Sequence, residues 1–209
     1  MAAPSLAELV APGACALLLQ EVQEGVVGRG GGLGELAAAA EAAGLVPRLV
    51  QLTAAARRAG VPVLHCTAAD LPHAFGANHN ARLFAAARRS AVIAGPEDRR
   101  VQPAAGLLGD GDLVLPRHHG LSPLSGTQLD SLLRNEGVRT VVITGVSLNV
   151  AIPNLVFDAV NRSYQAVVVT DGVVGVPLEY GQQVVAHSLR LLATLATVAE
   201  LIDAWGGAA

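Results

Sequence analysis

The segment from residue 139 to residue 153 constrains the fold of this chain more than any other. It reads RTVVITGVSLNVAIP, an apolar run that passes through a glycine and a short turn into a helical pattern. This pattern predicts a buried strand over residues 140–146 and a helix over residues 149–162, with Pro153 in the first turn, where proline is tolerated. Such a turn presents backbone N–H groups and a helix N-terminus, which favour an anion or a developing oxyanion. The residue at the mouth of this helix is Ala151, whose side chain can do no chemistry.

Strands and helices alternate along the rest of the chain. Apolar runs predict strands at residues 14–22, 61–67, 112–116, 166–170 and 195–199. Helical spacing predicts a broken helix over 33–59 and helices over 81–89, 128–136, 179–192 and 200–205, with Thr127 as the N-cap of the helix over 128–136. The glycine-rich connection over 25–34 lacks the spacing of a phosphate-binding loop and is predicted to be a flexible loop. This alternation indicates one α/β domain over residues 1–209, with helices on both faces of a parallel sheet.

Polar residues follow the predicted strands at the points where the strands end. They are Glu21, residues 65–67, residues 117–119, residues 147–149 and Asp171. Ligands of open parallel sheets bind outside the carboxyl ends of the strands. We therefore expect these residues to surround one small-molecule pocket.

Composition argues against several classes of partner. The formal net charge is −3 and all 14 basic residues are arginines, so no basic field for nucleic acid is present and no lysine can act as a base. No apolar stretch approaches the length of about 20 residues that spans a bilayer. Cys15 and Cys66 form no CxxC motif, and the N-terminus does not read as a signal peptide, so we expect a cytoplasmic protein.

Four segments together resemble the isochorismatase-like hydrolase family, which includes nicotinamidases, N-carbamoyl amidohydrolases and isochorismatases. They are residues 16–23 (ALLLQEVQ), residues 65–67 (HCT) with 76–82 (GANHNAR), residues 117–129 (RHHGLSPLSGTQL) and residues 142–151 (VITGVSLNVA). The resemblance implies a three-layer α/β/α fold with a six-stranded parallel sheet in the order 3-2-1-4-5-6. It also implies a non-proline cis peptide between Val146 and Ser147, and a homodimer or larger homo-oligomer that contacts through helices beside the fourth and fifth strands.

The usual active site of this family consists of an aspartate, a lysine and a cysteine nucleophile. By resemblance, the aspartate position holds Glu21, the lysine position holds Arg117 or His118, and the cysteine position holds Ala151. Glutamate keeps the carboxylate, and arginine keeps the positive charge with a different shape. Alanine removes the nucleophile, so covalent catalysis by a thiol at this position is excluded.

Further residues are expected to hold the ligand, a small carboxylate or amide. The N–H groups of Ser147 and Ala151 would form an oxyanion hole. Asn78, Arg82 and His119 would contact the ligand from the loops. No cofactor and no metal are predicted, because Asp70 and His73 lack the spacing of the family's metal ligands.

Three functional hypotheses follow. The first is a catalytically impaired protein, a pseudoenzyme, that binds a small molecule on the family scaffold. The second is non-covalent hydrolysis of a vinyl ether, amide or ester with Glu21 as general acid or base; a dianionic substrate would then need cations from Arg117, Arg82, His118 and His119. In the third hypothesis, Cys66 acts as the nucleophile in place of residue 151.

Overall fold

The computed structural model describes residues 4–28, 32–90 and 93–206, and a parallel sheet forms its centre. The strands in these ranges are β1 (Cys15–Gln20), β2 (Val63–Ala68), β3 (Leu113–Arg117), β4 (Thr140–Val146), β5 (Gln165–Val174) and β6 (Thr194–Ala196). Their spatial order is β3-β2-β1-β4-β5-β6, and every neighbouring pair is parallel. The predicted sheet and its strand order are confirmed.

Helices connect the strands and cover both faces of the sheet. Within the described ranges they are α1 (Leu6–Leu9), α2 (Glu24–Val27), α3 (Gly34–Ala42), α4 (Leu45–Arg58), α5 (Arg82–Arg89), α6 (Leu129–Asn135), α7 (Ala151–Asn161), α8 (Leu178–His187) and α9 (Val198–Gly206). The predicted break between α3 and α4 is confirmed, and Gly44 makes it with a left-handed φ of 61°. None of the helices in the described ranges is long and apolar enough to span a bilayer.

The side chains of β1 alternate between two apolar cores, one on each face of the sheet. Leu17 and Leu19 pack into the first core, which contains residues of α4 and α9: Leu45, Leu49, Leu52, Leu201 and Trp205. Ala16 and Leu18 pack into the second core, which contains residues of α6, α7 and α8: Leu129, Leu155 and Val184. Because both faces are buried, the strand reads as a continuous apolar run rather than as an alternating one.

Two predicted boundaries near the sheet edge are wrong. Helix α7 begins at Ala151 rather than at residue 149, because Val150 has the non-helical dihedral angles φ −145° and ψ −59°. Strand β5 continues to Val174 instead of ending at Thr170, because a register shift beside Gly145 allows pairing with β4 to resume.

The glycine-rich connection over 25–34 is not wholly a loop. Its first part forms α2, which buries Gly25, Val26 and Val27. Residues 29–31 of the predicted flexible loop lie outside the described residues. The prediction of Thr127 as N-cap is wrong by one residue, because α6 begins at Leu129 and its N-cap is Gln128. The Thr127 hydroxyl still accepts the Leu129 N–H at 3.0 Å.

Gly145 marks the closest approach of the β1 and β4 backbones. Its φ is +106°, and a Cβ at this position would lie 2.1 Å from the carbonyl oxygen of Gln20. That carbonyl directly precedes Glu21, so the absence of a side chain at residue 145 allows the two strand ends to meet beside the cavity described below.

Gly145→Ala should reduce the free energy of unfolding by about 3 kcal/mol or more, because the methyl group meets backbone that cannot move aside. Chemical denaturation measures this loss. Gly34→Ala is the matched control, since an added Cβ there meets nothing within 4 Å and φ is not positive. Equal stability of the two variants would contradict the close approach.

A buried charge cluster ties β2 to the start of β3. Asp112 accepts hydrogen bonds from Arg57 (2.6 Å and 2.9 Å) and contacts His65 Nε2 at 2.9 Å. Burial lowers the pKa of His65 below its usual value of 6.5, and the contact with Asp112 offsets this only in part. The imidazole is therefore neutral in the folded protein at neutral pH.

The free energy of unfolding should fall as the pH drops below about 6.5. The unfolded chain takes up a proton on His65 in this range while the folded protein resists it, with a limiting slope of about 1.4 kcal/mol per pH unit. Denaturation at pH 7.5, 6.0 and 5.0 measures this slope, and His65→Gln should reduce it. His187→Gln, at the exposed end of α8, should keep the wild-type slope. If the free energy of unfolding of His65→Gln depends on pH as steeply as that of the wild type, His65 is not the group responsible.

Candidate active site

A cavity of about 390 Å³ lies at the carboxyl edge of the sheet, between the ends of β1, β3 and β4. Glu21, Arg117, Ser147 and Ala151 all line it. Its remaining walls are largely apolar, with Leu33, Leu83, Phe84, Ile93, Leu121 and Val176 among them. A cavity is therefore present at the strand ends, and a few polar groups converge in it, as in many ligand sites. Residues 65–67 and Asp171, which were expected to border it, do not line it.

Glu21 follows β1 directly and has a left-handed backbone with φ 52°, an uncommon conformation for a residue with a side chain. Its N–H donates to the carbonyl of Cys66 at 2.8 Å, which fixes the turn against the end of β2. Its Oε1 accepts hydrogen bonds from Arg117 at 2.5 Å and from Gln20 at 3.0 Å. Within the described residues Oε2 has no hydrogen-bond donor, so it is the oxygen left for a ligand.

Arg117, the last residue of β3, lies in the cavity opposite Glu21. One guanidinium nitrogen donates to Glu21, and the other donates to the carbonyls of His119 and Gly120 in the loop that follows. The side chains of Arg117 and Glu21 are 9% and 20% exposed, so the ion pair is largely shielded from water. The Glu21 carboxylate therefore neutralises the charge of Arg117 before any ligand binds.

His118 does not lie in the cavity. Its Nδ1 is 3.0 Å from the carbonyl oxygen of Ala69, and the residue lines a smaller, adjoining cavity. Successive side chains at the end of β3 point in different directions, so Arg117 and His118 cannot both face Glu21. Of the two residues considered for the lysine position, the structure brings Arg117 to the carboxylate.

The N-terminus of α7 forms the third side of the site. The cis peptide predicted between Val146 and Ser147 is present. Among the described residues, the N–H groups of Ser147 and Ala151 have no acceptor, whereas the Ser147 carbonyl accepts from Val150 and Ile152. Free N–H groups at a helix N-terminus attract negative charge or a carbonyl oxygen. The predicted oxyanion hole thus has two available donors.

Three residues expected to contact the ligand lie elsewhere. Asn78 supports the loop, since its Oδ1 accepts the Gly120 N–H at 2.6 Å. Arg82 is exposed at the start of α5, a helix that buries none of its residues. His119 is exposed and lies so close to Gly126 that a Cβ there would be 2.1 Å from its ring. None of the three lines the cavity.

The positive charge expected for a dianionic substrate is therefore missing from the cavity. Among the described lining residues Arg117 is the one cation, and it is paired with Glu21. Glu35 adds a second carboxylate at the exposed rim. Arg82, His118 and His119, which were expected to join Arg117, do not line this cavity.

Gln20 and Asn149 support the site through contacts that the sequence does not reveal. Gln20, fully buried, donates from Nε2 to Glu21. Asn149 exchanges two hydrogen bonds with the backbone of Val176, at 2.5 Å and 2.9 Å, and so ties the entrance of α7 to the end of β5. Both lie inside the motif segments, but their roles depend on contacts between distant parts of the chain. Gln23, within the first motif, joins β1 to Ala68 at the end of β2.

Neither cysteine is available for chemistry. Burial raises the pKa of Cys66 to about 12 and that of Cys15 to about 11. Both thiols are buried in the cores of the sheet and stay protonated at neutral pH. Cys66 therefore cannot supply the thiolate that catalysis at this residue would require.

Within the described ranges no three His, Cys, Asp or Glu side chains cluster to hold a metal ion, and His73 is exposed.

Comparison with known proteins gives one family. A family model described as the Isochorismatase domain matches residues 15–201. Ureidoacrylate amidohydrolase RutB of Methylorubrum extorquens is 41% identical over 61 residues, which cover 29% of this chain and about a quarter (24%) of that protein. RutB of Methylobacterium radiotolerans is 29% identical over 176 residues, covering 77% of this chain and 67% of the relative.

Solved structures show the same fold. A cysteine hydrolase from Pseudomonas syringae pv. phaseolicola superimposes with a TM-score of 0.79 at 20% identity over 100% of both chains. An isochorismatase family protein from Desulfovibrio vulgaris gives a TM-score of 0.74 at 26% identity, covering 92% of this chain and 98% of that one. N-carbamoylsarcosine amidase from Thermoplasma acidophilum gives 0.66 at 22% identity, with 88% and 96% covered.

The sheet order and the cavity at its carboxyl edge define an α/β protein of the hydrolase fold found in these structures. Since the family model covers most of the chain, the protein belongs to the isochorismatase family.

Arg117→Met should lower the free energy of unfolding by about 2–4 kcal/mol, because it leaves the shielded Glu21 carboxylate without its counter-charge. Glu21→Gln added to Arg117→Met should recover part of this loss. A double-mutant cycle measures a coupling energy of about 1–3 kcal/mol. The exposed pair Asp98–Arg100 provides the control cycle and should show little coupling. Additive losses at Glu21 and Arg117 would contradict the buried pair.

Proposed function

We propose that this protein binds a small neutral amide in the cavity and does not hydrolyse it through a covalent intermediate. The observation that carries the proposal is Ala151. It stands at the N-terminus of α7, beside a free pair of N–H donors, and lines the same cavity as Glu21 and Arg117. The frame for holding a carbonyl group is therefore complete, while the side chain that would attack the carbonyl carbon is a methyl group.

The charges of the cavity support a neutral ligand rather than a carboxylate. Arg117 is engaged by Glu21, and Glu35 lies at the rim, so an anionic ligand would meet more negative than positive charge. The N–H groups of Ser147 and Ala151 can accommodate a carbonyl oxygen without a full negative charge. The apolar walls then cover the remainder of a small molecule.

An amide matches the polar groups on both sides of the cavity. Its carbonyl oxygen accepts from the N–H groups of Ser147 and Ala151, and its own N–H donates to Oε2 of Glu21. Gln20 and Arg117 hold Oε1 of the same carboxylate, which fixes the direction of Oε2. The names of relatives such as ureidoacrylate amidohydrolase and N-carbamoylsarcosine amidase also point to amides as the chemical class.

A second candidate function is hydrolysis without a nucleophilic side chain. Glu21 Oε2 has no hydrogen bond among the described residues, so it is free to take a proton from a water molecule. The small side chain of Ala151 leaves room for that water beside the carbonyl carbon. In this mechanism the water oxygen bonds to the carbonyl carbon, its proton passes through Glu21 to the leaving nitrogen, and the C–N bond breaks.

Self-association and a cytoplasmic location remain predictions from the family resemblance and from composition. Sedimentation velocity tests the first.

Ala151→Cys should create a reactive thiol in a protein whose two native thiols, Cys15 and Cys66, are unreactive. The thiol would lie at a helix N-terminus, which lowers its pKa, whereas both native thiols are buried and protonated. Iodoacetamide, itself a small neutral amide, should alkylate it roughly 10-fold faster than it alkylates an ordinary exposed thiol. Mass spectrometry follows the rate. Benzamide should slow the reaction by competing for the cavity, and the anion iodoacetate should react more slowly than iodoacetamide.

Ala186→Cys is the matched control, because residue 186 is exposed near the C-terminal end of α8. Its alkylation should be insensitive to benzamide. A thiol at residue 151 that reacts like this control, or that benzamide does not protect, would overturn the proposed ligand class. If the wild-type protein releases ammonia from benzamide and Glu21→Gln abolishes that release, the second candidate function replaces the first.

A further inference from the structure

A second depression adjoins the cavity and has a different chemical character. It is a groove of about 430 Å³, here called the distal groove, and it lies along the outer side of α7. Phe84, Gly120 and Leu121 line both the cavity and the distal groove, so the two spaces meet at these residues. The cavity and the distal groove therefore adjoin, with Phe84 at their common border.

Asparagine side chains supply much of the polar lining of the distal groove. Asn154, in the first turns of α7, makes no hydrogen bond to the described part of the protein through either amide atom, and its Oδ1 is buried. Asn80 uses Oδ1 to accept from Asn78, which leaves its Nδ2 unpaired among the described residues. Because Oδ1 of Asn154 is buried, Nδ2 is the amide atom of this side chain that is left to donate to a ligand in the groove.

The charges that line the distal groove are already neutralised. Asp158 accepts from Ser125 at 2.8 Å and from Arg162 at 3.1 Å. Burial alone would raise the pKa of Asp158, but the hydrogen bonds from Ser122 and Ser125 and the charge of Arg162 hold it below its usual value. The groove is therefore suited to a neutral group that both donates and accepts hydrogen bonds.

Two aromatic rings complete the distal groove. Phe84 lies at its junction with the cavity, and Phe157, on α7, is 47% exposed. Aromatic faces pack against the C–H groups of a ring, while amides and a carboxylate bind its hydroxyl groups. Rings that carry hydroxyl groups present both kinds of surface at once.

We propose that the ligand has two parts: the amide that occupies the cavity, and a neutral hydroxyl-bearing ring, such as a sugar, that occupies the distal groove on Asn154. This inference rests on the proposed function, because it attaches the second part to the amide. It makes Asn154 a specificity-determining residue outside the cavity.

Three probes of increasing length test the inference by calorimetry. Benzamide reports on the cavity alone, 4-methoxybenzamide adds a short substituent, and 4-carbamoylphenyl β-glucoside adds a hydroxyl-bearing ring. The glucoside should bind the wild-type protein at least about 10-fold more tightly than 4-methoxybenzamide. Asn154→Leu, which keeps the size of the side chain, should reduce this ratio to about 1.

Asn135→Leu, an exposed asparagine at the end of α6, is the matched control and should keep the wild-type ratio. If Asn154→Leu does not fold, Asn80→Ala should reduce the ratio in its place. Benzamide binding with no gain for the glucoside, or a gain that survives both substitutions, would overturn this inference and leave the proposed function intact. Failure of benzamide itself to bind would instead overturn the proposed function.

Discussion

The ion pair between Glu21 and Arg117 is the contact on which the site depends. It joins the end of β1 to the end of β3 across the intervening β2, and both side chains are largely buried. Gln20 on one side and the carbonyls of His119 and Gly120 on the other complete its hydrogen bonds. A shielded pair of this kind is sensitive to the loss of either partner. It fixes the direction of the carboxylate and removes the net positive charge from the cavity.

We propose that this neutralisation disfavours anionic ligands. The N-terminus of α7 still offers two free N–H groups, but the neighbouring cation is already used. A neutral carbonyl compound satisfies the donors without bringing a second negative charge beside Glu21. The methyl group of Ala151 then leaves the bound carbonyl without an attacking side chain, which is why binding is the first proposed function and water-mediated hydrolysis the second.

Much of the fold was predictable because local patterns and chain connectivity agree. Continuous apolar runs indicated strands buried on both faces, and the strand at residues 140–146 was placed with its observed ends. Errors occurred where tertiary contacts override local signals. Strand β5 continues past Asp171, which was expected to follow the strand, because β4 still offers pairing partners. Helix α2 forms in a glycine-rich segment because Val26 and Val27 are buried.

The sequence by itself determined the sheet, the segments that meet at its carboxyl edge, and the absence of a thiol at residue 151, because strand patterns, motif order and side-chain identity are local properties. Only the tertiary structure decided between Arg117 and His118, moved Asn78, Arg82 and His119 out of the cavity, and placed Gln20 behind Glu21. Those outcomes depend on the direction in which each side chain leaves a loop, and that direction is set by contacts between residues far apart in the chain. The burial that keeps Cys66 protonated is likewise a property of the packed sheet and not of its sequence motif.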